Sequence, residues 1–121
     1  MKEFKQTVIK ALLPHIILMQ AEKQSLHGWA VMKHIRKVHG VYFGPSTIYP
    51  MLNDLENKGL LQSQWIYPAI DHKPGRPHLP KQPIGNDRPR KIYAITNKGR
   101  ILLGQNITVL ALVNKMIEVK T

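Results

Sequence analysis

Apolar residues recur at helical spacing along much of the chain, and this pattern predicts four helices. The first is predicted over residues 5–24, with Pro14 in its middle. Because a proline inside a regular helix costs roughly 3 kcal/mol, the helix either kinks at Pro14 or gives way to a second helix that begins there. The next helix is predicted over 26–38, with Ser25 as its N-cap and Gly40 as its stop.

The third helix is the most clearly marked of the four. It is predicted over residues 46–58, because Ser46 can cap its first turn and Gly59 can end it. Pro50 favours this start over one at Pro45, since a proline early in a helix loses a hydrogen bond but avoids a deeper steric clash. The predicted buried stripe of this helix consists of Ile48, Met51, Leu52 and Leu55.

Two segments rich in Trp, Ile and Tyr predict strands, at residues 60–70 and 91–95, which would pair as a hairpin. The predicted order is three helices, a strand, a loop, a strand and a helix, which is the order of a winged helix-turn-helix. We therefore expect a mainly α fold with a small β-hairpin. Residues 1–96 would form the winged-helix domain, with an extended wing at about 71–91, and residues 97–121 a C-terminal dimerisation helix that Thr96 caps.

The last helix carries apolar residues on two of its sides. A terminal helix of this kind has more apolar surface than so small a domain can cover. A partner subunit is the simplest cover. The alternative is a kinked helix that folds back on its own core.

The balance of charge indicates the class of partner. The 121 residues include eighteen Lys and Arg and seven acidic residues, and the net charge of +11 favours a polyanion, either nucleic acid or an anionic membrane surface. The absence of cysteine excludes a disulfide framework, a thiolate zinc site and a cysteine nucleophile. Because neither a signal peptide nor a membrane span is recognisable, we expect a cytoplasmic protein. Attachment to a membrane surface is not expected either, because the last helix is apolar enough for it but too sparsely charged.

No pattern of catalytic or ligand-binding residues stands out. The six histidines never recur at a metal-ligand spacing, and no glycine-rich phosphate loop occurs. We therefore expect no enzymatic activity, no metal and no cofactor.

Much of the positive charge lies in one segment. Residues 71–91 hold five of the nine prolines and all six basic residues found between positions 62 and 96. Proline removes backbone donors and pushes the preceding residue to an extended conformation, so this segment cannot form a helix or a central strand. We interpret it as an exposed basic wing that touches DNA backbone or minor groove. The alternative is a disordered, solvated linker.

The third helix presents a polar face opposite its buried stripe. Asn53 could make the paired hydrogen bonds that read adenine, and Ser46, Thr47 and Tyr49 could donate to phosphates at the helix N-terminus. Each of these could also be an ordinary surface residue, but as a set, together with the wing, they favour DNA binding.

A sequence-independent basic nucleic-acid-binding protein, of nucleoid or ribosomal type, is the alternative that the net charge supports. The composition of the third helix argues against it, because residues 46–58 contain only one basic residue, a lysine, and two acidic residues, Asp54 and Glu56. Such a helix is poorly suited to indiscriminate binding of phosphates.

Three groups of motifs resemble those of the PadR-like transcriptional regulators: HGWAVM at 27–32, TIYPML at 47–52 with LENKGLL at 55–61, and RPRKIYAIT at 88–96 with KGR at 98–100. The chain departs from the family pattern at Ser46, where glycine is frequent, at Trp29, which replaces tyrosine, and in its longer wing. The resemblance implies a homodimeric winged-helix regulator, usually a repressor, whose last helix packs across the partner's first helix. Some members bind aromatic compounds near the dimer centre, which makes a small aromatic effector a candidate partner.

The expected nucleic-acid partner is double-stranded DNA, as a palindromic operator. The predicted DNA contacts are Ser46, Thr47, Tyr49, Asn53, Lys33, Arg76, Lys81, Arg88, Arg90 and Lys91. The predicted dimer contacts are apolar residues of the first and last helices, namely Leu12, Ile16, Leu103, Ile107, Leu110, Val113 and Ile117.

Overall fold

The computed structural model describes residues 2–67 and 89–118, which form four helices and three strands. The helices are α1 (Lys2–Lys23), α2 (Gly28–His39), α3 (Pro45–Asn57) and α4 (Asn97–Glu118). The strands are β1 (Leu26–His27), β2 (Leu61–Ile66) and β3 (Arg90–Ile95). The predicted order of three helices, a strand, a strand and a helix is confirmed, and one short strand is added to it.

The strands form one antiparallel sheet in the order β1-β3-β2. The long pairing runs from Leu61 opposite Ile95 to Ile66 opposite Arg90, and Leu26 pairs with Tyr93 on the other edge of β3. The two-stranded hairpin expected from the sequence therefore has a third strand. Because β1 has only two residues, it is too short for an alternating pattern to reveal it.

Helix α1 passes through Pro14 without a break between elements, so of the two alternatives the one in which a second helix begins there is wrong. Pro14 cannot donate to the carbonyl of Lys10. Packing offsets this loss, because Leu13, Ile17 and Leu18, on either side of the proline, are fully buried. Each fully buried aliphatic side chain contributes roughly 1.5–3 kcal/mol.

Helix α2 begins two residues later than predicted. Leu26 and His27 are extended and belong to the sheet, His27 is the N-cap residue, and Ser25 therefore does not cap the helix. The predicted stop is confirmed at Gly40, where φ is +71° and the N–H donates to the carbonyl of Arg36. A side chain would be strained in this left-handed conformation, which glycine adopts freely.

Helix α3 begins at Pro45, with Gly44 as its N-cap residue, so the predicted cap at Ser46 is wrong. The carbonyl of Gly44 accepts from the N–H groups of Thr47 (3.1 Å) and Ile48 (3.0 Å). A proline suits the first helical position, because its N–H would have no partner there and its φ is already helical. This advantage outweighs the cost of Pro50, which is the sixth residue after the N-cap, two positions deeper in the helix than predicted.

The hydrophobic core is shared by α1, α2, α3, the sheet and the first turns of α4. Beyond those turns, α4 continues as one helix to Glu118 with exposed apolar side chains, so it does not fold back on the core as the alternative required. The first turn is fixed by Thr96, whose hydroxyl accepts from the N–H of Gly99 (3.0 Å), which confirms the predicted cap. The arrangement is a winged helix-turn-helix. Its largest fully buried side chains are Leu13, Ile17, Leu18, Leu26, Ile35, Ile48, Leu52, Leu61, Leu103 and Val31.

Candidate nucleic-acid interface

The outer face of α3 is polar and open to solvent. Ile48, Leu52 and Leu55 point into the core and fix the rotation of the helix. Ser46, Asn53 and Tyr49 are consequently exposed, and Tyr49 shows 43% of its surface. Thr47 is half-buried beside them. The four uncharged residues predicted to contact DNA on this helix therefore lie together near its accessible side.

The ring of Tyr49 packs on the first residue of α2, Gly28. A Cβ atom at Gly28 would overlap the ring edge and lie 2.8 Å from Cζ and 3.0 Å from the hydroxyl oxygen of Tyr49. Real side chains almost never approach so closely, so a side chain at position 28 would have to displace the Tyr49 ring. The motifs HGWAVM and TIYPML thus meet in space where Tyr49 packs on Gly28.

An aromatic cleft of about 380 Å³ separates the start of α2 and the outer face of α3 from the strands β2 and β3. The rings of His27 and Trp29 stack at its edge, 5.8 Å apart and 12° from parallel. Trp29 and Trp65 expose 47% and 52% of their surfaces. The sequence analysis did not single out Trp65, although its position in the predicted strand at residues 60–70 was a signal that could have identified it. The cleft is lined by His27, Gly28, Trp29, Tyr49, Trp65, Pro89, Arg90, Lys91 and Tyr93.

The strands β2 and β3 (the wing strands) are joined to α3 through Glu56. The hydroxyl of Ser63 donates to Glu56 Oε2, and Lys91 Nζ lies 3.5 Å from Glu56 Oε1. The Ser63 hydrogen bond, followed by the positive charge of Lys91, holds the pKa of Glu56 below its ordinary value of 4.5 despite partial burial. Burial, and then the negative charge of Glu56, raises the pKa of Tyr93.

The exposed side of α2 is basic. Lys33 and Lys37 are exposed one turn apart, Arg36 is exposed beside them, and α2 contains no acidic residue. The pKa of His34 is lowered, first by burial and then by the nearby charges of His39, Lys23 and Lys37. Sequence reasoning named only Lys33 of this group. Helical spacing could have added Lys37, which lies four residues further along.

A sequence model described as the transcriptional regulator PadR-like family matches residues 17–76, which include α2, α3 and β2. The chain belongs to the PadR-like family of transcriptional regulators. No curated protein matches it significantly.

Solved PadR-like structures share the fold of this PadR-like chain. A PadR-like transcription factor from Bacteroides fragilis is 21% identical and superposes with a TM-score of 0.70, over 98% of this chain and 99% of the other. A PadR family regulator from Eggerthella lenta is 22% identical, with a TM-score of 0.73 over 97% and 88%. Bacillus subtilis PadR in complex with operator DNA is 20% identical, with a TM-score of 0.59 over 79% and 46%.

The basic residues expected in the wing of this PadR-like chain divide into two groups. Arg90 and Lys91 are half-buried on β3, where both line the aromatic cleft. Arg76, Lys81 and Arg88 lie outside the described residues. The described part of the expected DNA-binding surface is therefore made by α2, α3 and the wing strands.

The predicted dimer contacts also divide. Ile16 and Leu103 are 8% and 2% exposed and belong to the core of the chain itself, and Leu12 and Leu110 are half-buried. Ile107 and Val113 are exposed, whereas the side chain of Ile117 lies outside the described ones. The structure adds exposed apolar residues of α4 that the prediction did not name: Ile101, Val109, Leu112 and Met116.

Residues 2–67 and 89–118 contain neither a membrane-spanning helix nor a cluster of metal ligands. None of the described helices is long and apolar enough to cross a membrane. No group of three or more His, Asp or Glu side chains in these ranges is placed to hold a metal ion.

Proposed function

We propose that this PadR-like regulator is a cytoplasmic homodimer that binds a palindromic operator in double-stranded DNA and represses transcription. Helix α3 would lie in the major groove, and the wing would contact backbone or minor groove. The observation that carries the proposal is the polar, uncharged face of α3, where Ser46, Tyr49 and Asn53 are exposed together. Side chains that donate and accept hydrogen bonds can read base edges from such a face.

The distribution of charge supports reading of sequence over indiscriminate binding. Lys58, at the end of α3, pairs with Asp54 at 2.9 Å, and Glu56 adds a second acid. A helix of this composition contributes little attraction to phosphates. The attraction would come from Lys33, Lys37 and Arg36 on α2 and from the wing, since cations beside the groove supply affinity without reading sequence.

Likeness to a DNA complex supports the docking geometry. Bacillus subtilis PadR, which shares the fold, was solved with operator DNA. In helix-turn-helix proteins the N-terminal part of the recognition helix contacts base edges. By this analogy Ser46, Thr47 and Tyr49, in the first turns of α3, would contact phosphates and the groove edge. Asn53, one turn further, would contact a base.

Exposed apolar residues on α4 support the dimer. Leu112, Val113 and Met116 expose 58%, 47% and 69% of their surfaces, and Ile107 and Val109 are exposed one to two turns earlier. Contiguous apolar surface of this kind marks a protein–protein contact in soluble proteins. In the proposed dimer, α4 packs against the partner's α1, and a small aromatic effector could bind near the dimer centre. The proposal includes no enzymatic activity.

Selection of bound fragments from a random pool of duplexes tests the proposal. A dimeric regulator should enrich a palindromic consensus whose half-sites are about 10 base pairs apart, one turn of the double helix. The Asn53→Ala variant should lose the preference at one position of each half-site. The matched control Asn57→Ala, the same change at the exposed last residue of α3, should keep it. Recovery of no consensus would favour the sequence-independent basic protein instead.

A further inference from the structure

Glu56 differs from the other acid of α3 in what it contacts. It reaches across to both wing strands, because Ser63 on β2 donates to one carboxylate oxygen and Lys91 on β3 approaches the other to 3.5 Å. Among the described residues, the ion pair of Asp54 is with Lys58, four residues along the chain at the C-cap of the same helix. Glu56 is therefore the acid that links the recognition helix to the wing.

Lys91 is held on several sides. Its ammonium group lies 5.5 Å from the centre of the Trp65 ring and 6.0 Å from the centre of the Tyr93 ring, in addition to its contact with Glu56. The side chains of Lys91 and Glu56 are 31% and 25% exposed, against 62% and 54% for Lys58 and Asp54. Salt screens a partly buried pair less than an exposed one, so the Lys91 charge stays with Glu56 at ionic strengths that weaken the Lys58–Asp54 pair.

We propose that Glu56 is a positioning residue that docks the wing strands on α3 and withholds the charge of Lys91 from DNA. Lys91 then connects the wing to the recognition helix through Glu56, whereas the sequence predicted that it contacts a phosphate. This inference rests on the proposed DNA-binding function. The lowered pKa of Glu56 agrees with it, because the carboxylate is then ionised at neutral pH and able to hold Lys91.

The salt dependence of binding to a random duplex distinguishes this structural role of Lys91 from a phosphate contact. Each phosphate contact contributes about 0.9 to the slope of log affinity against log salt concentration. Lys91→Met should leave the slope of the wild-type protein unchanged. In the Glu56→Gln protein, where Lys91 is released toward the duplex, the same change should lower the slope by up to about 0.9. Asp54→Asn is the matched control, since it removes one acid from α3 without touching the wing, and in it Lys91→Met should again have no effect.

A slope that falls by about 0.9 when Lys91→Met is made in the wild-type protein would overturn the proposal, because Lys91 would then be a phosphate contact. Thermal unfolding without DNA provides the second test. Glu56→Gln and Lys91→Met should lower Tm by less together than the sum of their separate effects, whereas Asp54→Asn and Lys91→Met should be additive. Additivity of the first pair would also overturn the proposal. Ser63→Ala serves in place of Glu56→Gln if the latter does not fold.

The two tests separate this inference from the proposed function. A wild-type protein that binds no duplex would defeat the proposed function, while the unfolding measurements would still decide whether Glu56 and Lys91 are coupled.

Discussion

The contact between Gly28 and Tyr49 predicts how Gly28→Ala changes the free energy of unfolding, and the sign of that change depends on whether Tyr49 is present. Gly28→Ala adds a methyl group that overlaps the Tyr49 ring, and the three atoms nearest to it all belong to the Tyr49 side chain. Overpacking of this kind costs typically about 1–3 kcal/mol. Alanine in place of glycine in a helix returns up to about 1 kcal/mol through a smaller loss of chain entropy. We therefore expect Gly28→Ala to reduce the free energy of unfolding by about 1–2 kcal/mol.

Removing the ring should reverse the effect. In a Tyr49→Ala background the methyl group no longer meets the ring, so Gly28→Ala should raise the free energy of unfolding by up to about 1 kcal/mol. Urea denaturation of the four proteins of this cycle measures both values. The same effect of Gly28→Ala in both backgrounds would show that the cost does not arise from Tyr49. An exposed control, Gln24→Ala, should change neither background by more than about 0.5 kcal/mol.

Three further predictions concern the groove, the dimer and acid stability. Asn53→Ala should weaken binding to the selected operator by roughly 1–3 kcal/mol and spare a random duplex, as measured by fluorescence anisotropy; equal losses on both would assign Asn53 to backbone contact or folding. Light scattering should give a mass twice the 13.9 kDa of one chain. Leu112→Asp should reduce this mass to that of a single chain, whereas the control Gln24→Glu should not. A wild-type protein that is a monomer at micromolar concentration would contradict the proposed dimer. Because the pKa of Glu56 is lowered in the folded state, its contribution to stability is complete above 4.5 and is lost as the pH falls through the lower folded value. The difference in free energy of unfolding between the wild type and Glu56→Gln should therefore shrink below pH 4.5, and a difference independent of pH would contradict the assigned contacts.

Periodicity predicted the elements of this chain better than it predicted their ends. The buried stripe of α3 was found where expected, since four apolar residues at helical spacing leave only one face to bury. The predicted start of α2 was wrong because an apolar, buried Leu26 fits a helix as well as a strand. Only its pairing with Tyr93, far along the chain, makes it a strand residue. Such a pairing is a tertiary contact that no local pattern records.

The candidate site shows the same division. The polar face of α3 follows from the position of its buried stripe, so Ser46, Tyr49 and Asn53 could be named from sequence. The aromatic cleft could not, because Trp29 and Trp65 come from separate elements that only the fold brings to one surface. The role of Glu56 was hidden for the same reason. In the sequence it was one of two acids that make α3 poorly suited to binding phosphates, and its partners became evident only with the wing strands in place.

In the proposed function, α3 reads sequence while α2 and the wing supply affinity. The most direct measurement is the ratio of affinities of the wild-type protein for its selected palindromic duplex and for a shuffled duplex of equal length and composition, at the same salt concentration. We expect a ratio of about a thousandfold or more in favour of the palindrome, as for other specific regulators. Equal affinities for the two duplexes would contradict it.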